Sequence, residues 1–235
     1  MSIESTDIGW FRELLQDSQH VESDDPSSVL EWLSDKRKAP KFEANLINIH
    51  DLREWHIDEN TGDIHSDSGA FFSIQGVRVA SSGGLREVAS WDQPIFTQKE
   101  GGILALIAKK EGHKILFLLN AKAEPGNIGT FQLSPTVQAS WSNINRLHKG
   151  NRPAFAEVIL GEVPSQLVYE SLHNEEGSRF WKKSNRNQIW LVDPSQINLV
   201  YDPKQFTWAS LSQIKTIALM DNVLSPYVRT IIAPL

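Results

Sequence analysis

The 235-residue sequence contains no cysteine, which excludes disulfide frameworks, thiol nucleophiles and thiolate metal sites together and fits a cytoplasmic protein. Long apolar runs are missing as well. The longest, Ile103 to Ala108 and Ile115 to Leu119, fall far short of the roughly 20 residues that span a bilayer. The amino terminus is acidic rather than basic and apolar, so neither a membrane segment nor a secretion signal is expected. Positive charge is in deficit, with 23 Lys and Arg against 29 Asp and Glu and a net charge of -6. A duplex nucleic-acid binder normally shows a basic face, so no nucleic-acid partner is expected. The seven histidines show neither HExxH nor any other zinc spacing, and no metal is expected.

What is present is a core: 40% of the residues are hydrophobic, enough for one large domain. Ile8, Phe11 and Leu15 recur at helical spacing, as do Val29, Trp32 and Leu33 after the start signal Asp24-Asp25-Pro26, predicting two short helices in an N-terminal arm over residues 1–41. From Phe42 onward the pattern changes to apolar and β-branched runs broken by Gly, Pro and Asn. Strands are predicted at Ala70 to Ala80, Ile103 to Lys109, Lys114 to Ala121, Phe131 to Ser140, Ala154 to Leu160 and Ile189 to Val192. The runs near Ile103 and Ile115 are apolar on both alternating faces and belong in the centre of a sheet, covered above and below. Lys110 to His113 is expected to turn between them. Near the end, Thr207 is expected to cap a helix carrying Leu211, Ile214 and Ala218, with Asn222 just past it. This order of elements indicates an α+β domain over residues 42–235.

Polar residues that are costly to bury gather between Lys122 and Asn187. Lys122 and Glu124 follow a central strand at i, i+2, which puts both on one face if the extension continues. The following Pro125-Gly126-Asn127 turns the chain, and a surface hairpin with a solvated ion pair is an equally ordinary reading. In the stretch from Phe131 to Asn143 neutral hydrogen-bonding groups alternate with apolar ones. Gln132, Thr136, Gln138 and Asn143 beside Trp141 are groups that read sugar hydroxyls and a base edge, although a solvated amphipathic strand would look the same. Arg146 and His148 follow and could set positive charge against a phosphate. A second cluster holds Glu175, Arg179, Asn185, Arg186 and Asn187. An Arg between two Asn ahead of an apolar strand suits a diphosphate, because the planar guanidinium makes paired bonds to its oxygens; a plain turn into a strand is the alternative.

Several of these segments recur together in one known family. Ile64-His65 with Ser68 to Val79, Trp91 to Ile95, Lys122-Ala123-Glu124-Pro125-Gly126-Asn127, Gln132-Leu133-Ser134-Pro135-Thr136-Val137-Gln138-Ala139, Ser142-Asn143, Arg146 with His148, Glu176-Gly177, Asn185-Arg186-Asn187 and Arg229-Thr230 stand in the order expected of NDP-hexose 2,3-dehydratases. From about residue 42 to the end the chain resembles that family. The resemblance implies a Nudix-like α/β/α sandwich around a mixed sheet, without Nudix chemistry. Glu175-Glu176-Gly177 is only a fragment of a magnesium-binding Nudix helix, and Leu167 to Leu172 do not complete it.

The resemblance also implies a substrate, an NDP-linked 4-keto-6-deoxyhexose with dTDP as the expected nucleotide, and a reaction that needs no cofactor. The C4 ketone acidifies the C3 proton, and its loss gives an enolate that expels the C2 hydroxyl. The enol so formed tautomerises to a 3,4-diketo-2,6-dideoxy sugar. A base, a proton donor and a group facing the C4 oxyanion are required. Within the family pattern His65, Glu124, His148 and Glu175 are the acid or base candidates and Lys122 the oxyanion or orienting group. Arg146, Arg179 and Arg186 would hold the diphosphate, and Gln132, Thr136, Gln138, Asn143, Asn185 and Asn187 the sugar and base. Two departures stand out: family members usually carry two copies of this unit where this chain has one, and His173-Asn174-Glu175 replaces the more usual Gln-Ser-Glu. A homodimer would restore the two-copy arrangement, and eight Trp residues offer surface for it. The rivals are a nucleotide-sugar binding protein without turnover and a metal-dependent nucleotide-sugar hydrolase.

Overall fold

The computed structural model describes residues 8–19, 24–38, 40–69, 71–82, 84, 87–98, 100–145, 152–197, 202 and 204–235. Helices α1 (Gly9–Gln19) and α2 (Ser27–Lys38) come first. Strands β1 (Trp55–Ile57), β2 (Ile64–Ser66), β3 (Ser73–Ala80) and β4 (Ser90–Thr97) follow. Then come β5 (Gly102–Glu111), β6 (Lys114–Ala123), β7 (Phe131–Ser134) and β8 (Val137–Ser140). The remainder comprises α3 (Trp141–Ile144), α4 (Ala156–Ile159), β9 (Ser165–Asn174), β10 (Ser184–Val192), α5 (Pro194–Ile197), β11 (Phe206–Ser210), α6 (Leu211–Ile217) and α7 (Pro226–Ile232). Among the described residues no helix is long and apolar enough to cross a membrane.

The chain divides into two units, the first built from residues up to Ala44, Gly102–Leu172 and Arg186–Leu235. Its sheet runs β11-β6-β5-β10-β9, with β7 added to β6 and β8 to β5. It is mixed, since β10 is parallel to β5 whereas β6, β8 and β11 pair antiparallel. The two-sided apolar pattern of β5 has the consequence expected of it. Leu104, Leu106 and Ala108 bury under α1, α2, α6 and α7, and Ile103, Ala105 and Ile107 bury on the other face with Ile144, Val158 and Ile159 of α3 and α4. The fold is therefore α+β, with helices on both faces of a mixed sheet.

The two N-terminal helices are part of this core rather than an appendage to it. Phe11 meets Phe117 edge-on at 6.4 Å, and the Ile115 N–H donates to the buried Ser18 hydroxyl at 2.8 Å. Phe11, Leu15, Val29 and Leu33 are all buried, worth together roughly 6 to 12 kcal/mol at about 1.5 to 3 each. That equals the net stability of an ordinary domain.

The β5–β6 hairpin pairs from Glu111↔Lys114 to Ile107↔Leu118 and then opens. Past this point β6 takes β7 as partner and β5 takes β8. The segment from Phe131 to Ser140 thus enters the fork as one strand and leaves as another, not as the single strand its pattern suggests. Pro135 sits at the apex, where no ladder bond is required of it. Thr136 fills the gap: its hydroxyl accepts from the Ile107 N–H at 3.0 Å and donates to the Leu118 carbonyl.

Two further segments differ from expectation. Ala154 to Leu160 is not a strand, because Phe155 takes a left-handed φ of 66° and the chain winds into α4. Thr207 is not a cap but lies within β11, which pairs with β6 from Phe206↔Asn120 to Ser210↔Leu116. Ser210 caps α6 instead, in a reciprocal capping box with Gln213.

The second unit comprises Asn45–Gly101 and His173–Asn185. Its four strands form an antiparallel sheet in the order β1-β2-β3-β4. Aromatic rings take the place of a deep core. Trp55 lies 5.0 Å from Phe72, Phe72 4.9 Å from Phe96, and Phe96 5.5 Å from Phe180. The tip of the turn joining β9 to β10 is tied to β4, since the Phe96 N–H donates to the Arg179 carbonyl and the Trp181 N–H to the Phe96 carbonyl, both at 2.8 Å.

Candidate functional site

In the first unit the splayed end of the sheet carries a cluster of three side chains. Lys122, near the end of β6, places Nζ 3.3 Å from Glu124 Oε1 and donates to the Gln138 carbonyl of β8 at 3.4 Å. Gln138 Nε2 donates to the same Glu124 Oε1 at 3.2 Å. Lys122 and Glu124 are 28% and 40% exposed at the side chain, neither sealed off nor fully solvated. The turn that follows is fixed from within and without. Asn127 Nδ2 donates to the Lys122 and Thr130 carbonyls, and Arg37 of α2 reaches the Phe131 carbonyl with two bonds, at 3.0 and 2.7 Å. Gly129 underlies that guanidinium, where a Cβ would meet it at 3.2 Å, and its φ is +78°. Gln132 stands opposite Lys122 across the β6–β7 ladder, on the same face, as the i to j pairing of a sheet requires.

The other candidates of this unit are distributed differently. Thr136 is 2% exposed and its hydroxyl is engaged on both sides by backbone, so the sheet fork accounts for it and a sugar-reading role does not fit. Asn143 lies exposed on α3. Arg186 Nη1 meets Glu170 Oε1 at 2.6 Å, half-exposed, and the other Glu170 oxygen accepts from Gln188, so a carboxylate already holds the proposed diphosphate group. Asn187 is buried, and its Oδ1 has no partner among the described residues, nor has Asn120 Oδ1. Arg146 and His148 lie outside the described residues.

In the second unit Glu175 and Asn185 come together. Asn185 Nδ2 donates to Glu175 Oε1 at 2.5 Å. Lys183, absent from the sequence-based set, lies 4.0 Å from that same oxygen, with side-chain exposures of 13% for Lys183 and 11% for Glu175. Its ammonium also donates to Gln98 Oε1 at 2.7 Å and sits 5.0 Å over the Phe180 ring. Burial pushes the Lys183 ammonium below the usual lysine range, and Glu175 partly offsets this. No sequence signal marks Lys183; its pairing with Glu175 comes with the fold, where the Glu175 N–H donates to the Lys183 carbonyl at 2.9 Å.

Arg179 forms an exposed ion pair with Glu176 at 3.0 Å. His65 packs edge-on against His56 at 4.0 Å, and His56 Nδ1 meets Asp67 Oδ1 at 2.7 Å. A cavity of about 450 Å³ in this unit is lined by Ile49, His50, Trp55, His56 and Glu59, among others, and by none of the candidate residues. Among the described residues no three His, Cys, Asp or Glu side chains gather as a metal site needs.

Relatives of known name exist. One from Saccharopolyspora spinosa is 34% identical over 202 residues, covering 86% of this chain and 40% of its own length. Others from Amycolatopsis orientalis and Streptomyces violaceoruber are also 34% identical, covering 87% of this chain in each case and 43% and 45% of their own lengths. All three are named dTDP-4-dehydro-6-deoxy-alpha-D-glucopyranose 2,3-dehydratase. The chain therefore spans less than half the length of these relatives. Among solved structures, an Ap4A hydrolase from C. elegans gives a TM-score of 0.32 at 15% identity over 52% of this chain and 88% of its own. The C-terminal domain of mouse MUTYH gives 0.33 at 14% over 58% and 86%. Scores this low carry nothing to the chemistry of this chain. The match to the family model extends over residues 26–235, nearly the whole chain, and the chain belongs to the NDP-hexose 2,3-dehydratase family.

Proposed function

We propose that this chain dehydrates a dTDP-linked 4-keto-6-deoxyhexose, removing the C3 proton and expelling the C2 hydroxyl to give a 3,4-diketo-2,6-dideoxy sugar nucleotide. The observation that carries this reading is the Lys122–Glu124–Gln138 cluster at the open end of the sheet, in a chain whose relatives bear the dehydratase name. Elimination next to a ketone passes through an enolate, and a half-buried cation is suited to the oxygen on which that charge develops. Lys122 takes that place. Glu124 orients the ammonium and serves proton transfer to the departing hydroxyl, with Gln132 facing the same side as a reader of the sugar. The base for the C3 proton is one of the acid–base candidates of the family pattern, His65, Glu124, His148 and Glu175. The net change is loss of one water, so no electron acceptor is consumed.

Nucleotide-sugar binding without turnover is the second reading, favoured by the partial exposure of Lys122 and Glu124, which an ordinary surface ion pair would share. A homodimer and a cytoplasmic location also belong to the proposal. Incubation of the purified chain with dTDP-4-keto-6-deoxyglucose and EDTA, followed by mass spectrometry, separates the readings. Product lighter by one water supports dehydration, calorimetric binding with unchanged mass supports the binding protein, and release of a nucleotide fragment only in the absence of EDTA supports a metal-dependent hydrolase.

A further inference from the structure

A buried polar atom without a hydrogen-bond partner destabilises a fold, and native structures hold few of them. Asn120 of β6 carries one: the residue is 8% exposed, and its Oδ1 has no partner among the described residues. The strand pattern fixes the face it occupies. Leu119 and Ala121 pack in the cluster under α1, α2, α6 and α7, so Asn120, Lys122 and Glu124 share the opposite face of β6. Phe206, the partner of Asn120 on β11, accordingly belongs to the other cluster. Across the ladder to β7, Ser134 stands opposite Asn120 and Gln132 opposite Lys122. Polar side chains thus line one face of this prong of the fork and become more buried inward, from partly exposed Glu124 and Lys122 to buried Asn120 and Ser134.

The other prong answers this face. Gln138 of β8 and Asn187 of β10 flank Leu104 of β5 from its two sides, which puts their side chains on one face. From there Gln138 reaches Glu124. Asn187 is 1% exposed, and its Oδ1 is likewise unpartnered among the described residues. Two orphaned acceptors therefore stand on the two faces that the Lys122–Glu124–Gln138 cluster joins. Alternate residues of a strand are about 6.8 Å apart, so Asn120 lies within the span of one hexose ring from Lys122. An amide oxygen only accepts, and what it lacks here is a donor. A sugar hydroxyl can donate, whereas a ketone oxygen and an ionised diphosphate cannot.

We propose that Asn120 is a substrate-binding residue whose Oδ1 accepts a hydrogen bond from a hydroxyl of the hexose held at Lys122. The proposal rests on the reading of the Lys122 cluster as the sugar site and is independent of turnover. An acceptor left unsatisfied until a ligand arrives has a signature of its own. Replacing it with an apolar group of similar shape leaves the empty protein as stable or more so and weakens binding, whereas an asparagine that serves only the fold gives the reverse.

The test uses the full chain with dTDP and with dTDP-6-deoxyglucose, a stable probe because without the C4 ketone its C3 proton is not acidic. Asn120→Leu is expected to show a urea midpoint without ligand at or above that of wild type and an unchanged affinity for dTDP. Its affinity for dTDP-6-deoxyglucose, read by calorimetry, should fall about tenfold or more. A lower midpoint with the ratio of the two affinities intact assigns Asn120 to the fold and overturns the proposal, as does any folded variant that keeps the wild-type ratio, or a wild-type chain that binds the two probes alike. Should Asn120→Leu fail to fold, Asn120→Ala decides by the ratio alone: a ratio near one supports the proposal and the wild-type ratio overturns it. Turnover of dTDP-4-keto-6-deoxyglucose by wild type separates the two readings. Dehydration beside a variant with the wild-type ratio overturns the role of Asn120 and leaves the dehydratase reading intact, whereas a sugar-dependent affinity that vanishes with Asn120 in a chain without turnover supports the proposal and refutes dehydration.

Discussion

Replacing Glu124 by Gln changes one atom of the cluster at the sheet fork, and the two roles open to Glu124 predict different sizes of effect. The amide keeps the length of the side chain and an oxygen to accept from Gln138 Nε2, which stands 3.2 Å away. Lys122 loses its countercharge at 3.3 Å but retains the Gln138 carbonyl. Both side chains are partly solvated, and exposed ion pairs contribute about 0 to 1 kcal/mol. On a chain of this size a full 1 kcal/mol is a fall in Tm of roughly 2 to 4 °C, so the variant should lose no more than that. If Glu124 only decorates the surface, nothing else changes. If it orients Lys122 and transfers a proton, kcat falls about 100-fold or more, a barrier increase of roughly 2.7 kcal/mol, with KM close to wild type. Steady-state turnover of dTDP-4-keto-6-deoxyglucose beside a melting curve reads both quantities. Full activity in a folded Glu124→Gln variant refutes the catalytic assignment of the pair.

Thr136→Val keeps the shape of the side chain but leaves the buried Ile107 N–H and Leu118 carbonyl without their partner, so the fold should lose roughly 1 to 3 kcal/mol. An unchanged urea midpoint would contradict the role given to Thr136 at the fork. Glu170→Gln takes the carboxylate away from Arg186; if that guanidinium serves the diphosphate, dTDP binds several-fold more tightly by calorimetry, whereas unaltered affinity places Arg186 outside the ligand site. Light scattering at micromolar concentration should give twice the monomer mass, and a single monomer mass counts against the dimer.

The elements legible in the sequence are those in which pattern and packing agree. Leu104 and Leu106 on one side of β5 and Ile103 and Ile107 on the other announce a central strand without reference to its neighbours, and the spacing of Phe11 and Leu15 announces a helix face. The fork is not legible, because whether Phe131 to Ser140 forms one strand or two depends on β5 and β6 parting beyond Ile107 and Leu118. Thr207 presents the chemistry of a cap, but the ladder between Phe206–Ser210 and β6 overrides it. In the candidate site the i, i+2 spacing of Lys122 and Glu124 foretells their contact, whereas Lys183 looks like a surface lysine until the turn that bears it is tied to β4. For Arg186 the sequence shows the guanidinium but not Glu170, which arrives from another strand.

The central claim is that this chain itself breaks the C3–H and C2–O bonds of its substrate. The most direct measurement uses dTDP-4-keto-6-deoxyglucose carrying deuterium at C3 and heavy oxygen in the C2 hydroxyl, incubated with the purified chain and followed by mass spectrometry and deuterium NMR. The account predicts that both labels leave the sugar together, the deuterium to solvent and the heavy oxygen as water, with the phosphates and nucleotide intact. A sugar nucleotide that binds the chain and keeps both labels would contradict it.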